Sequence, residues 1–184
     1  MPFEENANRV WRSLPAEDRG RAATAFWAGP GEEAGTALVV IAQARRMRPQ
    51  VARRLDEEAK ARILATVLEP GEPLAFALLV AFHLEHRREV LVAFLDAVGL
   101  PHEDGILTDE ADSAPLTENA ARAGIEALAA RFEASHIECY LNTLWLQDPA
   151  RWAPVERAYD AWESTGATMA PSSDCASRDG SSSQ

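Results

Sequence analysis

The side chains best able to do chemistry here are four histidines in a chain of 184 residues, and their spacing matters more than their number. His83 and His86 stand three apart, so a helix places both imidazoles on one face. Glu133 and His136 form a Glu-x-x-His pair. Such pairs, projected inward from facing helices, build carboxylate-bridged two-metal sites in bundles. The full constellation needs two pairs and two further glutamates. Only one pair is present, because Val80, His83 and Gly99 precede the other histidines by three positions. A single zinc ion held by His83, His86 and His136, with Glu133 nearby, is the simpler metal alternative. The plainer reading makes these boundary histidines satisfied by neighbouring acids, and no cofactor is predicted beyond that divalent-metal alternative.

Cys139 follows His136 by three residues on the same predicted helix, the arrangement of a thiol beside a base. A reactive thiolate needs an electropositive, partly open setting. Glu133 and Glu138 supply the opposite, so Cys139 reads as a small buried apolar residue. His102-Glu103-Asp104-Gly105 lies on a loop and could hold a metal or move a proton. Asp and Gly are also turn formers, and turn chemistry is the stronger reading.

Arg45, Arg46, Arg48, Arg53, Arg54, Lys60 and Arg62 form a basic stretch in a chain of net charge −11. The six arginines could meet an acidic partner or a phosphate. The alternative is a solvated face paired with Asp56, Glu57 and Glu58. Without a Gly-rich phosphate loop or interleaved aromatics, and with this net charge, nucleic acid is not expected as a partner. No P-loop, dinucleotide fingerprint, nucleophile elbow or His-Glu-x-x-His zinc helix is present.

These residues must be positioned by the elements around them, and those are organised about Pro73–Leu107. Leu74 to Phe82 is apolar at every position. A helix there has no polar face and must be covered on nearly all sides. Pro73 suits its first turn, and Gly99 with Pro101 suits its end. Leu-Val-Ala-Phe occurs at Leu79–Phe82 and again at Leu91–Phe94, twelve residues on. Twelve steps at about 100° turn the second copy roughly 120° from the first. Either one helix crosses the domain, or the chain bends at His83–Arg88 into two antiparallel helices; the bend is preferred.

The remaining segments read as wrapping helices. Phe3–Leu14, with Phe3, Val10, Trp11 and Leu14 on one face, is followed by a helix to about Ala28 and by a Gly29-Pro30-Gly31 break. Leu38-Val39-Val40-Ile41 could be a strand, but its flanks are helical in composition. A short helix over Pro49–Leu55 comes next. Asp56 then caps a helix whose stripe is Ile63, Leu64, Val67 and Leu68. After an irregular segment from Pro101 to Pro115, with a short strand or 3₁₀ turn at Ile106–Leu107, helices follow over Leu116–Phe132, over about Glu133–Leu146, and from Asp148 onward. The last carries the aromatic stripe Trp152, Val155, Tyr159 and Trp162.

The predicted fold is therefore all-α: a single-domain irregular bundle of antiparallel helical hairpins over residues 1–163. Residues 164–184 are Ser-rich and poor in large apolar residues, the composition of a disordered tail. The longest apolar run has nine residues, short of the roughly 18 that suggest a membrane span. No signal-peptide pattern opens the chain, and two isolated cysteines make no disulfide framework, so a cytoplasmic setting is expected. With no complete catalytic motif, the leading expectation is a non-catalytic protein–protein interaction or scaffold module, acting with a protein partner or as a homo-oligomer. The alternatives are the metal-dependent enzyme or sensor, and a small-ligand binder with a hydrophobic pocket lined by Phe76, Phe82 and Phe94.

Overall fold

The computed structural model describes residues 3–29, 31–109, 111 and 115–164. Among them the chain forms ten helices and one two-stranded hairpin. The helices are α1 (Ala7–Ser13), α2 (Ala16–Ala28), α3 (Ala34–Ala44), α4 (Pro49–Arg53), α5 (Glu57–Ala65), α6 (Glu72–His86), α7 (Arg88–Val98), α8 (Glu118–Ala129), α9 (Ala134–Gln147) and α10 (Pro149–Ser164). The strands, β1 (His102–Glu103) and β2 (Ile106–Leu107), pair antiparallel. The fold is an all-α bundle, and no described helix is long and apolar enough to cross a membrane. The expected Ser-rich tail lies, from residue 165 on, outside the described residues.

Local signals explain most boundaries. Asn6 accepts from the backbone N–H of Arg9 and caps α1. That helix therefore starts four residues later than the Phe3–Leu14 pattern predicts, and Phe3 serves a different part of the core. Asp56 caps α5 through the N–H of Ala59 at 2.7 Å, and Thr117 caps α8. Leu38–Ile41 is helical, inside α3. The Ile63–Leu68 stripe is cut short. α5 ends at Ala65, Val67 gives its carbonyl to Trp11 Nε1 at 2.8 Å, and Leu68 is exposed.

The chain bends at Arg87, whose backbone leaves helical geometry at φ −136°, ψ 25°. A continuing helix would give the carbonyl of Leu84 to the N–H of Arg88. Instead the Arg88 side chain takes it, through Nε at 2.8 Å. α7 ends as predicted, with Gly99 left-handed at φ 71° and the Leu100 N–H bonded to Leu95 O, the pattern that satisfies terminal carbonyls.

After the bend, α6 and α7 serve two different cores. α6 packs chiefly on α2, and α7 chiefly on α8. The first core joins Trp11, Phe26, Trp27, Ile41, Leu64, Leu78, Leu79 and Phe82. The second joins Phe94, Ile125, Leu128, Tyr140, Trp152 and Tyr159. The two Leu-Val-Ala-Phe copies are thus divided, Leu79 and Phe82 in one core and Leu91 and Phe94 in the other. Each half also sends one buried residue across. Phe3 joins the second core, 5.4 Å from the Tyr159 ring, while Cys139 of α9 joins the first. α8 approaches α7 so closely that a Cβ on Gly124 would sit 2.7 Å from Phe94 Cε2.

Candidate functional site

α6 is apolar throughout Leu74–Phe82, yet packing does not cover all of it. Leu74, Ala75, Leu78, Leu79 and Phe82 are buried in the first core. Phe76, Val80 and Leu84 are only half-buried. They recur every four residues and so lie on one face of the helix. That face lines a cavity of about 360 Å³. The opposite wall is a face of α9 bearing Tyr140, Thr143, Leu144 and Gln147, at the same helical spacing. Leu91 and Leu95 of α7 close one side, and the hairpin residues Gly105, Ile106 and Leu107 close another. The volume falls in the lower part of the range of about 300–1,000 Å³ typical of small-molecule sites.

The hairpin that completes the cavity is the segment His102-Glu103-Asp104-Gly105. Asp104 and Gly105 both have positive φ, 50° and 85°, as a two-residue turn matched to strand twist requires. His102 Nδ1 accepts from the Gly105 N–H at 3.2 Å, and its Nε2 lies 3.1 Å from Asp96 Oδ1. Arg88 Nη1 pairs with the Asp104 carboxylate at 2.6 Å. His102 and Asp104 thus hold the turn in place against α7.

His83 lies at the α6–α9 seam and lines a second space as well. That second space is a cleft of about 240 Å³ on the other side of the seam, with Asp18, Arg87, Ser135, His136 and Asn142 among its walls. Several polar groups of the cleft pair with one another. Arg87 Nη2 donates to His136 Nε2 at 2.9 Å. Asp18 lies 3.9 Å from Arg87 and 3.4 Å from Arg21. Asn142 donates to Glu138 O and accepts from the N–H of Glu4. Arg87 also lies over the Phe82 ring, 5.5 Å from its centroid.

His83 and Cys139 meet across the seam, 3.7 Å from Nε2 to Sγ. Burial pushes the His83 imidazole down to about 3, with Arg87 and His136 adding to the effect against a hydrogen bond at the Cys139 backbone. Burial likewise pushes the Cys139 thiol up to about 12, helped by Asp18 and Glu138. Both groups are therefore neutral near pH 7. This is the reverse of an activated thiolate–imidazolium pair, whose thiol pKa is lowered.

The four residues of the metal alternative do not converge. His83 is buried, His86 is exposed with its ring 6.1 Å from that of Phe82, and Glu133 is exposed at the start of α9. His136 gives the lone pair of Nε2 to Arg87. A metal would need that electron pair, and a guanidinium at 2.9 Å repels a cation. Among the described residues, no group of three or more His, Cys, Asp or Glu is placed to hold a metal ion. The partner of Cys139 is His83, 56 positions away in sequence, and not His136. Of the three phenylalanines expected around a pocket, Phe76 lines the cavity, while Phe82 and Phe94 point into the two cores.

Arg45, Arg46, Arg48, Arg53, Arg54 and Arg62 are all exposed. None forms an ion pair with a described residue, so the expected pairing with Asp56, Glu57 and Glu58 is not made.

Comparison of the chain with protein-family models, with curated proteins and with solved structures finds no match.

Proposed function

We propose that the protein binds a small, mostly apolar molecule in the cavity between α6, α7, α9 and the hairpin. One observation carries this reading: the half-buried Phe76–Val80–Leu84 face of α6 lines a cavity. Apolar surface gains about 25 cal/mol per Å² when it leaves water, so an apolar occupant supplies the cover that the fold withholds. The neutral His83–Cys139 pair supports binding over covalent chemistry. A panel of apolar molecules of graded size, read by thermal shift, tests the proposal. Those that fit should raise the Tm of the wild type and leave Val80→Trp, whose indole fills the space, unchanged. A panel in which no member raises the wild-type Tm would sink the reading.

A second reading, as a protein–protein interaction module, rests on the six unpaired arginines. Residues 45–62 carry seven cations and three acids, a net of +4, which leaves −15 on the rest of the chain. Such a surface suits an acidic protein partner, or the acidic body of another copy. Light scattering at low and high salt, together with binding of a poly-glutamate peptide, tests it. A monomer at every ionic strength that also ignores the peptide would exclude this use of the arginines.

A further inference from the structure

α4 turns most of its surface to water. Of its five residues, Pro49 to Arg53, only Ala52 is buried. Arginines stand at both ends, with Arg48 as its N-cap and Arg54 as its C-cap. A helix rises about 1.5 Å per residue, so their α-carbons lie roughly 10 Å apart. Val51, three residues from each, is 48% exposed, and residues three apart on a helix are neighbours. An apolar side chain is thus left open between two exposed arginines. Arg46 comes two residues before Arg48, within about 7 Å of that end along the chain.

The turn that delivers the chain to α4 keeps an arginine where glycine would fold with less strain. α3 and α7 end in the same way. At α7, Gly99 is left-handed at φ 71°, its N–H bonds to Asp96 O, and the Leu100 N–H bonds to Leu95 O. At α3, Arg46 is left-handed at φ 51°, its N–H bonds to Gln43 O, and the Met47 N–H bonds to Ala42 O. Left-handed backbone crowds a Cβ against the following carbonyl, a strain that glycine escapes. Among the described residues the exposed Arg46 side chain makes no ion pair, hydrogen bond or ring contact. Nothing described in the protein offsets the strain, and strain of that kind is a mark of function.

We infer that the corner between α3 and α4 docks a short acidic segment of a partner protein, with an apolar residue covering Val51 and a carboxylate held by Arg46. This rests on the interaction reading above and adds the pattern of the partner and a binding residue. A guanidinium holds a carboxylate through two parallel hydrogen bonds. The charge distribution favours a short occupant. The basic stretch is set in a body of net −15. A nucleic acid or an anionic membrane extends well beyond the roughly 8 Å over which charges act at physiological salt, and so meets that body. A second copy brings another chain of net −11.

Calorimetric titration of the full chain with two peptides of equal charge, Glu-Glu-Glu-Leu-Glu-Glu-Glu and Glu-Glu-Glu-Gly-Glu-Glu-Glu, tests the docking. The Leu peptide should bind roughly threefold tighter, by the apolar area it covers, and Val51→Ser should remove the difference. Arg46→Gly should weaken both peptides roughly fivefold and raise the Tm by about 2 °C. A variant that melts higher and binds less has not lost its binding by unfolding. Equal binding of the two peptides, unchanged affinity in Arg46→Gly, or a lower Tm in that variant would overturn this docking and leave the interaction reading standing. If neither peptide binds, the interaction reading falls and this docking with it. Tighter binding of a short DNA duplex, or of phosphatidylcholine vesicles containing phosphatidylserine, would overturn the partner class. So would light scattering that shows a dimer lost in Arg46→Gly.

Discussion

His83 divides two spaces that treat their polar groups in opposite ways. On the cleft side, Asp18 pairs with Arg21 and Arg87, Arg87 with His136, and Asn142 with the Glu138 carbonyl, while Arg87 Nε is buried and unpartnered. On the cavity side, the walls are nearly all apolar. The cleft is a seam closed by its own chemistry: it ties α2, α6 and α9 together and leaves little for a ligand to satisfy. The cavity is a seam left open. Polar groups engaged with one another hold elements in place, and an apolar wall without such groups does not.

The largest expected effect lies on His83 itself, the residue the two spaces share. Folding holds its pKa at about 3, against 6.5 for the ordinary imidazole. Between those values the unfolded chain binds a proton that the folded chain refuses, so stability falls as pH falls. The contribution is fully present above pH 6.5 and is lost progressively toward pH 3, by about 3 kcal/mol at pH 4. Urea unfolding of wild type and His83→Phe at pH 7 and pH 4 reads it. The variant should lose less stability over that interval, and equal losses would mean that His83 is not held neutral.

Smaller effects separate the two sides. Asp18→Ala leaves Arg87 and Arg21 without their acid and should cost about 2 kcal/mol, since breaking a buried polar network strands its members. Equilibrium unfolding near neutral pH measures this, and a neutral outcome would make the cleft as loosely held as the cavity. Tyr140→Phe should do the reverse. Removing a hydroxyl with no partner leaves the empty protein unchanged or stabilises it by up to about 1 kcal/mol. A clear loss of stability there would show that Oη is already bonded and that the contrast between the two sides fails.

Much of this arrangement is readable along the chain, and the misses have causes. Gly99, Asp56 and Asp104-Gly105 announce a helix end, a helix start and a tight turn, because each acts on its own backbone. The bend near His83–Arg88 is readable from the two Leu-Val-Ala-Phe copies, which a continuous helix would aim in different directions. The stripe through Val67 and Leu68 misleads, because Trp11 Nε1 takes the Val67 carbonyl from 56 positions away. Phe82 and Phe94 mislead for a related reason: large and apolar suits a core wall and a cavity wall equally. The approach of Cys139 to His83 leaves no sequence signal, since neither residue type nor spacing marks it. Gly124, where α8 meets Phe94, looks like any other small residue in a helix.

Residue chemistry alone determined that the chain is helical, where several of its helices start or stop, and that one of them is apolar on every side over Leu74–Phe82. Tertiary structure decided which side of that helix would be left uncovered. A helix with a polar face tells its neighbours where water lies; α6 has none over Leu74–Phe82, so its pattern points in no direction. Only the placement of α2, α7, α9 and the hairpin around it turned Phe76, Val80 and Leu84 into the wall of a cavity.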